Sequence, residues 1–324
     1  MPKEISEIKK YQKVFSNIKS ELARVVVGQE DVVNGLLRAL ICNGHTLVEG
    51  VPGIAKTLIV KSLAEITGCH FSRIQFTVDL LPTDIVGLTT YDRKKGFTVI
   101  KGPVFANFLI ADEINRASPR TQSALLEAMQ ERQVTIGKET YDLTPPFLVM
   151  ATQNPIESAG VFNLPEAQVD RFLFKLKVYY PKPKEEQKIL HSNVTLRKFE
   201  DYKIKKITNP KEIIRIQASV NKVFMSQDLE DYIIRIINAT RERDKFKTGK
   251  YIEYGASPRA SIGLFIASKA DALIKGKSYV TPENIKAVAH DVLRHRVILN
   301  YEGQAENINT DDFITEILSK VPIP

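Results

Sequence analysis

A chain of 324 residues with 43% hydrophobic and 26% charged residues suits two globular domains, and its net charge of +8 leaves a nucleic-acid partner open without requiring one. The two cysteines form no Cys-x-x-Cys pair and the five histidines lack metal-ligand spacing, which argues against a disulfide framework and a structural zinc site. No apolar run approaches the roughly 18 residues of a membrane span, and the first residues lack an apolar signal segment, so we expect a cytoplasmic protein with no membrane span.

Two helices are predicted ahead of the first strand. Apolar residues between Ile5 and Leu22 recur at close to helical spacing, and residues 31–41 predict a second helix. The segment 25–29 separates the two helices. The apolar run at residues 46–49 then predicts a short buried strand.

A glycine-rich turn follows this strand and leads into a predicted helix. A strand, a glycine-rich turn and a Lys-Thr pair that opens a helix together predict a phosphate-binding loop. Small residues let backbone N–H groups surround a phosphate, and the helix N-terminus adds positive potential. Lys56 can then reach the β- and γ-phosphates, and the Thr57 hydroxyl can ligate Mg²⁺. The predicted nucleotide-binding residues of this segment are Gly50, Val51, Pro52, Gly53, Ile54, Ala55, Lys56, Thr57 and Leu58.

Ala55 occupies the position at which the pattern Gly-x-x-x-x-Gly-Lys-[Ser/Thr] has its last glycine. Glycine is the residue that adopts a positive φ at little cost, whereas alanine adopts it rarely. We therefore expect that this position does not need a left-handed backbone.

Further strands and two hairpins are predicted downstream. Between the two hairpins, Ser118 and Pro119 are suited to begin a helix, since serine caps helices and proline favours the first turn. Five short strands with helical crossovers predict a parallel three-layer α/β sheet. The four additional strands are predicted at residues 71–77, 108–111, 147–151 and 172–178, and the hairpins at residues 89–100 and 134–143.

After residues 179–184 the pattern contains only helices. Apolar stripes at residues 229–237 and 262–273 predict two of them, and Thr281-Pro282-Glu283 is suited to open another. We place a domain boundary at this change. It divides the chain into an α/β core at residues 1–181 and a helical domain at residues 182–324.

Polar side chains follow two of the predicted strands of the core. In open α/β sheets ligands bind outside the carboxyl ends of the strands. Asp112 is therefore predicted to hold Mg²⁺, and Glu113 to polarise an attacking water. Asn154 could orient that water or the γ-phosphate, although an asparagine before a proline also shapes turns. The guanine-reading pattern Asn-Lys-x-Asp is absent, which favours ATP over GTP.

Taken together, these motifs resemble the MoxR family of AAA+ ATPases along nearly the whole chain. An alanine before the lysine of the phosphate-binding loop is typical of that family. The resemblance is carried by residues 50–57, 112–117, 124–131, 151–155, 164–172 and 255–260.

The resemblance implies an AAA+ P-loop core, with a five-stranded parallel sheet between helices and two β-hairpin inserts, followed by an all-α lid domain. It implies that Asn154 is sensor 1, Arg171 the arginine finger and Arg259 sensor 2. From the residues alone, Arg171 could instead pair with Asp170, and Arg259 could be a helix-terminal cation. The residues that match the adenine-lining stretch are Val27, Gly28 and Gln29.

The resemblance also implies a function. Members of the family act as ring-forming, chaperone-like ATPases on protein clients, and they are linked to complex maturation or metal-cofactor insertion with a von Willebrand A domain partner. A hexameric ring is therefore expected. The alternative is a nucleic-acid-linked AAA+ motor. In that case the basic surfaces that contact nucleic acid would be residues 241–254 and 93–95. Acidic residues within 241–254 dilute that charge, so nucleic acid is not the expected partner.

Overall fold

The computed structural model describes residues 2–50, 55–94, 96–154, 161–192 and 199–324. The helices in these ranges are α1 (Pro2–Ala23), α2 (Glu30–Ile41), α3 (Lys56–Thr67), α4 (Pro82–Val86), α5 (Pro119–Glu131), α6 (Glu166–Val169), α7 (Pro183–Ser192), α8 (Pro210–Val220), α9 (Gln227–Arg241), α10 (Pro258–Ile274), α11 (Pro282–Leu293), α12 (Tyr301–Ala305) and α13 (Thr310–Lys320). The strands are β1 (Thr46–Glu49), β2 (Phe71–Gln75), β3 (Gly87–Asp92), β4 (Gly96–Lys101), β5 (Phe108–Asp112), β6 (Gln133–Ile136), β7 (Glu139–Asp142), β8 (Leu148–Gln153), β9 (Phe174–Lys177), β10 (Ile252–Tyr254) and β11 (Ile298–Leu299). Within the described ranges, no helix is both long enough and apolar enough to cross a membrane.

Five of these strands form one parallel sheet in the order β2-β5-β8-β1-β9. Alternate side chains of β5 face opposite sides: Phe108 and Ile110 join one hydrophobic cluster, whereas Leu109 and Ala111 join another. Both faces of the sheet are therefore covered, which explains the continuous apolar runs in its central strands. The predicted strands and the α/β class are confirmed.

Both predicted hairpins form, with β3 antiparallel to β4 and β6 antiparallel to β7. The tip residue Lys95 lies outside the described residues. The hairpins touch each other, since a Cβ added to Gly137 would lie 2.9 Å from Thr89 Oγ1. Each hairpin leads toward a strand of the main sheet, the first toward β5 and the second toward β8. Ser118 caps α5 as predicted, because its hydroxyl accepts a hydrogen bond from Thr121 N.

The helices after β9 pack against the helices at the start of the chain. One hydrophobic cluster includes Phe15 of α1 and Leu36 of α2 together with residues of α8 to α11 and of α13. A buried ion pair joins α2 to α10, with Arg38 Nη2 at 2.7 Å from Asp271 Oδ1. The two regions therefore share part of their core. The division at residues 181 and 182 falls between β9 and α7, and it stays a prediction.

Two details of the helical region differ from the sequence-based expectation. The region predicted to contain only helices also holds β10 and β11, which pair antiparallel. Ile262, which the apolar stripe places on a buried face, is 59% exposed. The buried face of α10 is instead formed by small and apolar residues such as Ala260, Leu264 and Ala267.

Candidate active site

The carboxyl ends of β1, β5 and β8 open onto one cavity of about 420 Å³. This is the edge at which open α/β sheets bind their ligands. The predicted phosphate-binding and catalytic residues on its wall are Gly50, Ala55, Lys56, Thr57, Leu58, Asp112, Glu113 and Asn154. The predicted Val51, Pro52, Gly53 and Ile54 lie outside the described residues.

Lys56 opens α3, and its side chain reaches back to Gly50, the residue after β1. Its Nζ donates a hydrogen bond to the Gly50 carbonyl oxygen at 2.6 Å. Burial lowers the pKa of Lys56, while the charges of Asp112 and Glu113 oppose that shift. The lysine is therefore a partly desolvated donor on the cavity wall, a position suited to binding an anion.

The backbone at Ala55 contradicts the expectation drawn from its side chain. Ala55 is left-handed, with φ +49° and ψ +17°. This conformation brings Cβ close to the following carbonyl oxygen and costs an L-residue roughly 1–2 kcal/mol. The position therefore does take the backbone for which glycine is preferred. A strained backbone held by surrounding structure is common at functional sites.

Asp112 ends β5, and both of its carboxylate oxygens have partners. Oδ1 accepts a hydrogen bond from Thr152 Oγ1 at 2.6 Å, and Oδ2 accepts one from Arg73 Nη2 at 2.6 Å. Arg73 lies on β2 and Thr152 on β8, the two strands that flank β5. The carboxylate is therefore held in place from both sides of its own strand.

Glu113 follows in a left-handed conformation, with φ +56°. Its backbone N–H donates to Thr152 Oγ1 at 2.9 Å. Its Oε2 accepts a hydrogen bond from Gln75 Nε2 at 2.8 Å and lies 3.0 Å from Arg116 Nε. The turn therefore brings the carboxylate onto the cavity wall, where two donors fix its orientation.

The sequence analysis assigned no role to Arg73, Gln75 or Thr152, all of which line the cavity. The sequence contains a weak indication that these three residues lie at the site. Arg73 and Gln75 alternate along β2, so both side chains lie on the same face of the sheet. Thr152 precedes Asn154 by two positions on the strand that leads to it.

The predicted adenine-lining residues lie on a second cavity of about 510 Å³, between α1, α2 and α7. Val27, Gly28 and Gln29 line it together with Glu185 of α7. Gln29 Nε2 donates to the Tyr179 carbonyl oxygen at 3.1 Å. Gly28 has φ +75°, and a Cβ there would lie 2.6 Å from Glu185 Oε2, so α7 packs directly on this turn.

Arg171 and Arg259 line neither cavity. Arg171 is exposed in the turn before β9, and the register of β9 sets Phe174 level with Thr46 at the start of β1. Thr46 is four residues before Gly50, or about 13 Å along the strand. Arg171 therefore lies near the amino edge of the sheet, opposite the edge that carries Lys56.

Arg259 begins α10, and its Nη1 lies 3.2 Å from Asp170 Oδ2. Asp170 directly precedes Arg171, so the two arginines occupy one region of the surface. Asp170 also pairs with Arg296, whose Nε is 2.8 Å from Oδ1. The described contacts of the Asp170 side chain are therefore with the helical region, and the surface pair between Asp170 and Arg171 is not formed.

The cavity wall offers oxygen donors of the kind that Mg²⁺ prefers. The Thr57 hydroxyl and the Asp112 carboxylate both line it. In the described part of the chain, no group of three or more His, Cys, Asp or Glu residues is placed to hold a metal ion. Mg²⁺ commonly takes one or two protein ligands together with waters and substrate phosphates. The donor set therefore fits Mg²⁺ that enters with a nucleotide.

The fold and the cavity define an AAA-type ATPase with a lid. The family profile described as ATPase family associated with various cellular activities (AAA) matches residues 45–174, and the AAA lid domain profile matches residues 246–317. The crystal structure of a candidate ATPase from Cytophaga hutchinsonii is similar, with a TM-score of 0.91 and 47% identity, and the match covers 98% of this chain and 97% of that chain.

Similar proteins of known sequence show to which family of AAA ATPases the chain belongs. Chaperone MoxR1 of Mycobacterium tuberculosis is 46% identical over 94% of this chain and 81% of its own length. The uncharacterised protein YeaC of Bacillus subtilis is 42% identical over 93% and 92%, and MoxR of Methylorubrum extorquens is 28% identical over 94% and 93%. The chain belongs to the MoxR family of AAA+ ATPases.

Proposed function

We propose that this protein is a ring-forming motor that hydrolyses Mg²⁺-bound ATP to remodel protein clients. One observation carries the proposal. Lys56, Asp112 and Glu113 line one cavity, whereas Arg171 lies at the opposite edge of the sheet. A subunit by itself therefore holds a nucleotide site without its arginine finger. A head-to-tail contact that closes into a ring would place each Arg171 at the neighbouring nucleotide.

Five residues of the cavity wall have a chemical role in this proposal. Lys56 binds the β- and γ-phosphates, and Thr57 and Asp112 hold Mg²⁺. When bound, Mg²⁺ neutralises charge on the phosphate oxygens. Glu113 acts as the general base that accepts a proton from the attacking water, and Asn154 orients that water or the γ-phosphate.

The nucleotide base and the second arginine complete the proposed site. Val27, Gly28 and Gln29 would line the adenine in the second cavity. The resemblance predicts that Arg259 senses the nucleotide. Its ion pair with Asp170, next to Arg171, supports action on the nucleotide of the neighbouring subunit together with the arginine finger.

The client is proposed to be another protein. One relative is named a chaperone, which supports this class of client. We further propose a hexamer that works with a von Willebrand A domain partner in complex maturation or metal-cofactor insertion, as the family resemblance implies. The hairpin β3–β4 supplies a surface for gripping, because Tyr91 and Phe97 stack edge to face at 5.2 Å while 66% and 79% exposed.

Two arginines of the basic stretch that would serve a nucleic-acid motor donate hydrogen bonds to backbone carbonyl oxygens of the same region. Arg243 Nη1 donates to the carbonyl oxygens of Ile252 and Glu253, and Arg241 Nε donates to the Ala256 carbonyl oxygen. Phosphate binding requires cations that are available to solvent. These contacts therefore favour a structural role for the two arginines.

Replacing Lys56 with alanine tests the nucleotide site. The variant loses a charge-assisted bond to the phosphates, so we expect ATP affinity to fall at least about tenfold. Isothermal titration calorimetry with Mg²⁺ and ATP measures the change. Lys61→Ala is the matched control, since Lys61 lies on the same helix but outside the cavity wall. Equal ATP affinities for the Lys56 variant and the wild type would show that the site is misplaced.

Shortening the first hairpin tests the gripping surface. Replacing residues 91–97 with a two-residue Asn-Gly turn removes the Tyr91–Phe97 pair and keeps a hairpin between Thr90 and Thr98, so basal ATP hydrolysis should change less than twofold. A protein client is first isolated by co-purification with the wild type, and its stimulation of ATP hydrolysis should be lost in the shortened variant. Tyr301→Ala, at an 87% exposed aromatic residue of α12, is the control for loss of exposed apolar surface. Full stimulation of the shortened protein would place the grip elsewhere.

A further inference from the structure

Arg296 lies in the turn after α11, and its side chain is only 3% exposed. All five of its N–H donors have acceptors. Nε donates to Asp170 Oδ1 at 2.8 Å, and Nη2 donates to the carbonyl oxygens of Asp170 at 3.2 Å and Phe172 at 2.7 Å. Nη1 donates to the carbonyl oxygens of Leu173 at 3.2 Å and Val292. Four of the five bonds therefore end on residues 170–173.

The neighbouring residue, His295, adds a further hydrogen bond to the same turn. His295 Nε2 lies 3.0 Å from the Phe172 carbonyl oxygen and must donate its proton there, because a carbonyl oxygen only accepts. Burial lowers the pKa of His295 well below its usual range, so the ring is neutral. The segment held in this way is the turn that presents Arg171 to solvent.

The contacts of Arg296 with the α/β core are concentrated on residues 170–173. A buried guanidinium needs acceptors for its donors, and here nearly all of them come from one short turn of the α/β core. The Arg171 side chain is exposed. Its guanidinium can therefore meet a target at a defined distance only if contacts to the backbone of the turn hold that backbone in place. The helical region supplies that support.

We infer that Arg296 is a positioning residue for the arginine finger: it fixes the turn at residues 170–173 so that Arg171 reaches the nucleotide of the neighbouring subunit. The inference rests on the proposed role of Arg171. It also links the helical region to catalysis in the next subunit, since any displacement of Arg296 relative to the sheet would move the finger.

A double-mutant cycle tests this inference. Arg296→Met keeps an unbranched side chain but removes all five donors, and we expect kcat for ATP hydrolysis to fall on the order of 10- to 100-fold. The dissociation constant for ATP should stay within twofold of wild type, since Arg296 does not line either nucleotide cavity. In the Arg171→Ala background, Arg296→Met should lower kcat no further, because the residue acts through Arg171.

Arg296→Lys is the second variant, for the case in which Arg296→Met does not fold. It keeps a positive charge beside Asp170 and leaves the ion pair between Asp170 and Arg259 intact, but it lacks the planar set of five donors, so the same non-additivity with Arg171→Ala is expected. Arg38→Met is the matched control. It breaks the buried ion pair between α2 and α10 without touching the finger turn, so it should lower the melting temperature and leave kcat within twofold.

The outcomes separate this inference from the proposed function. A wild-type kcat in Arg171→Ala would overturn the finger assignment and this inference with it. A large loss in Arg171→Ala beside a wild-type kcat in a folded Arg296 variant would overturn only this inference. Additive losses in the double variant, or a loss that tracks dissociation of the assembly by sedimentation velocity, would also overturn it.

Discussion

Arg171→Ala subunits should hydrolyse saturating ATP on the order of 10³–10⁵-fold more slowly than wild type, the range measured for arginine fingers. The finger stabilises charge that develops on the transferring phosphoryl group, so its loss lowers kcat rather than ATP affinity. Titration calorimetry should therefore give an unchanged dissociation constant. Arg215→Ala, at an exposed arginine of α8, is the control for loss of surface charge.

Mixing subunits shows whether the finger acts on the neighbour. An Arg171→Ala subunit keeps an intact cavity, and a Lys56→Ala subunit keeps an intact finger, so a mixed interface can join the working half of each. ATPase activity should rise when the two inactive proteins are combined, and wild-type specific activity should rise with protein concentration. An absence of recovery at every mixing ratio, with co-assembly confirmed, would contradict action between subunits.

The elements that could be predicted from the sequence are those with a local signal. The central strands are buried on both faces, so they appear as continuous apolar runs such as residues 108–111 and 147–151. Because parallel strands end at one edge, residues after β1, β5 and β8 could be expected to meet, and Lys56, Asp112 and Asn154 do line one cavity.

The features that sequence analysis missed depend on which distant segments become neighbours. Arg73 meets Asp112 only because β2 pairs with β5, and strand order is not encoded in either strand alone. The contact of Arg296 with Asp170 spans 126 residues of chain. Residue preference also misled at Ala55, because this alanine adopts a left-handed backbone at the start of α3 at a modest energetic cost.

Glu113→Gln should separate ATP binding from its hydrolysis. The amide keeps the size of the side chain and can still meet Gln75 and Arg116, but it cannot accept a proton from water. Loss of a general base costs typically 10²–10⁴-fold in rate, so we expect kcat to fall by about that factor while the ATP dissociation constant stays within twofold. Glu127→Gln, at an exposed glutamate of α5, is the matched control.

Asp112→Asn should behave differently, although the two residues are adjacent. The substitution removes a negative charge that would hold Mg²⁺, and its single amide oxygen can accept from Thr152 or from Arg73 but not from both. The Mg²⁺-dependent gain in ATP affinity should therefore shrink at least about tenfold, whereas affinity in excess EDTA should be unchanged. Wild-type turnover by Glu113→Gln, or an Asp112→Asn protein whose ATP affinity still responds fully to Mg²⁺, would remove the corresponding residue from the mechanism. If both variants lost only Mg²⁺-dependent affinity, Glu113 would be a second metal-holding carboxylate, and the residue that activates water would have to be sought among the other groups on the cavity wall.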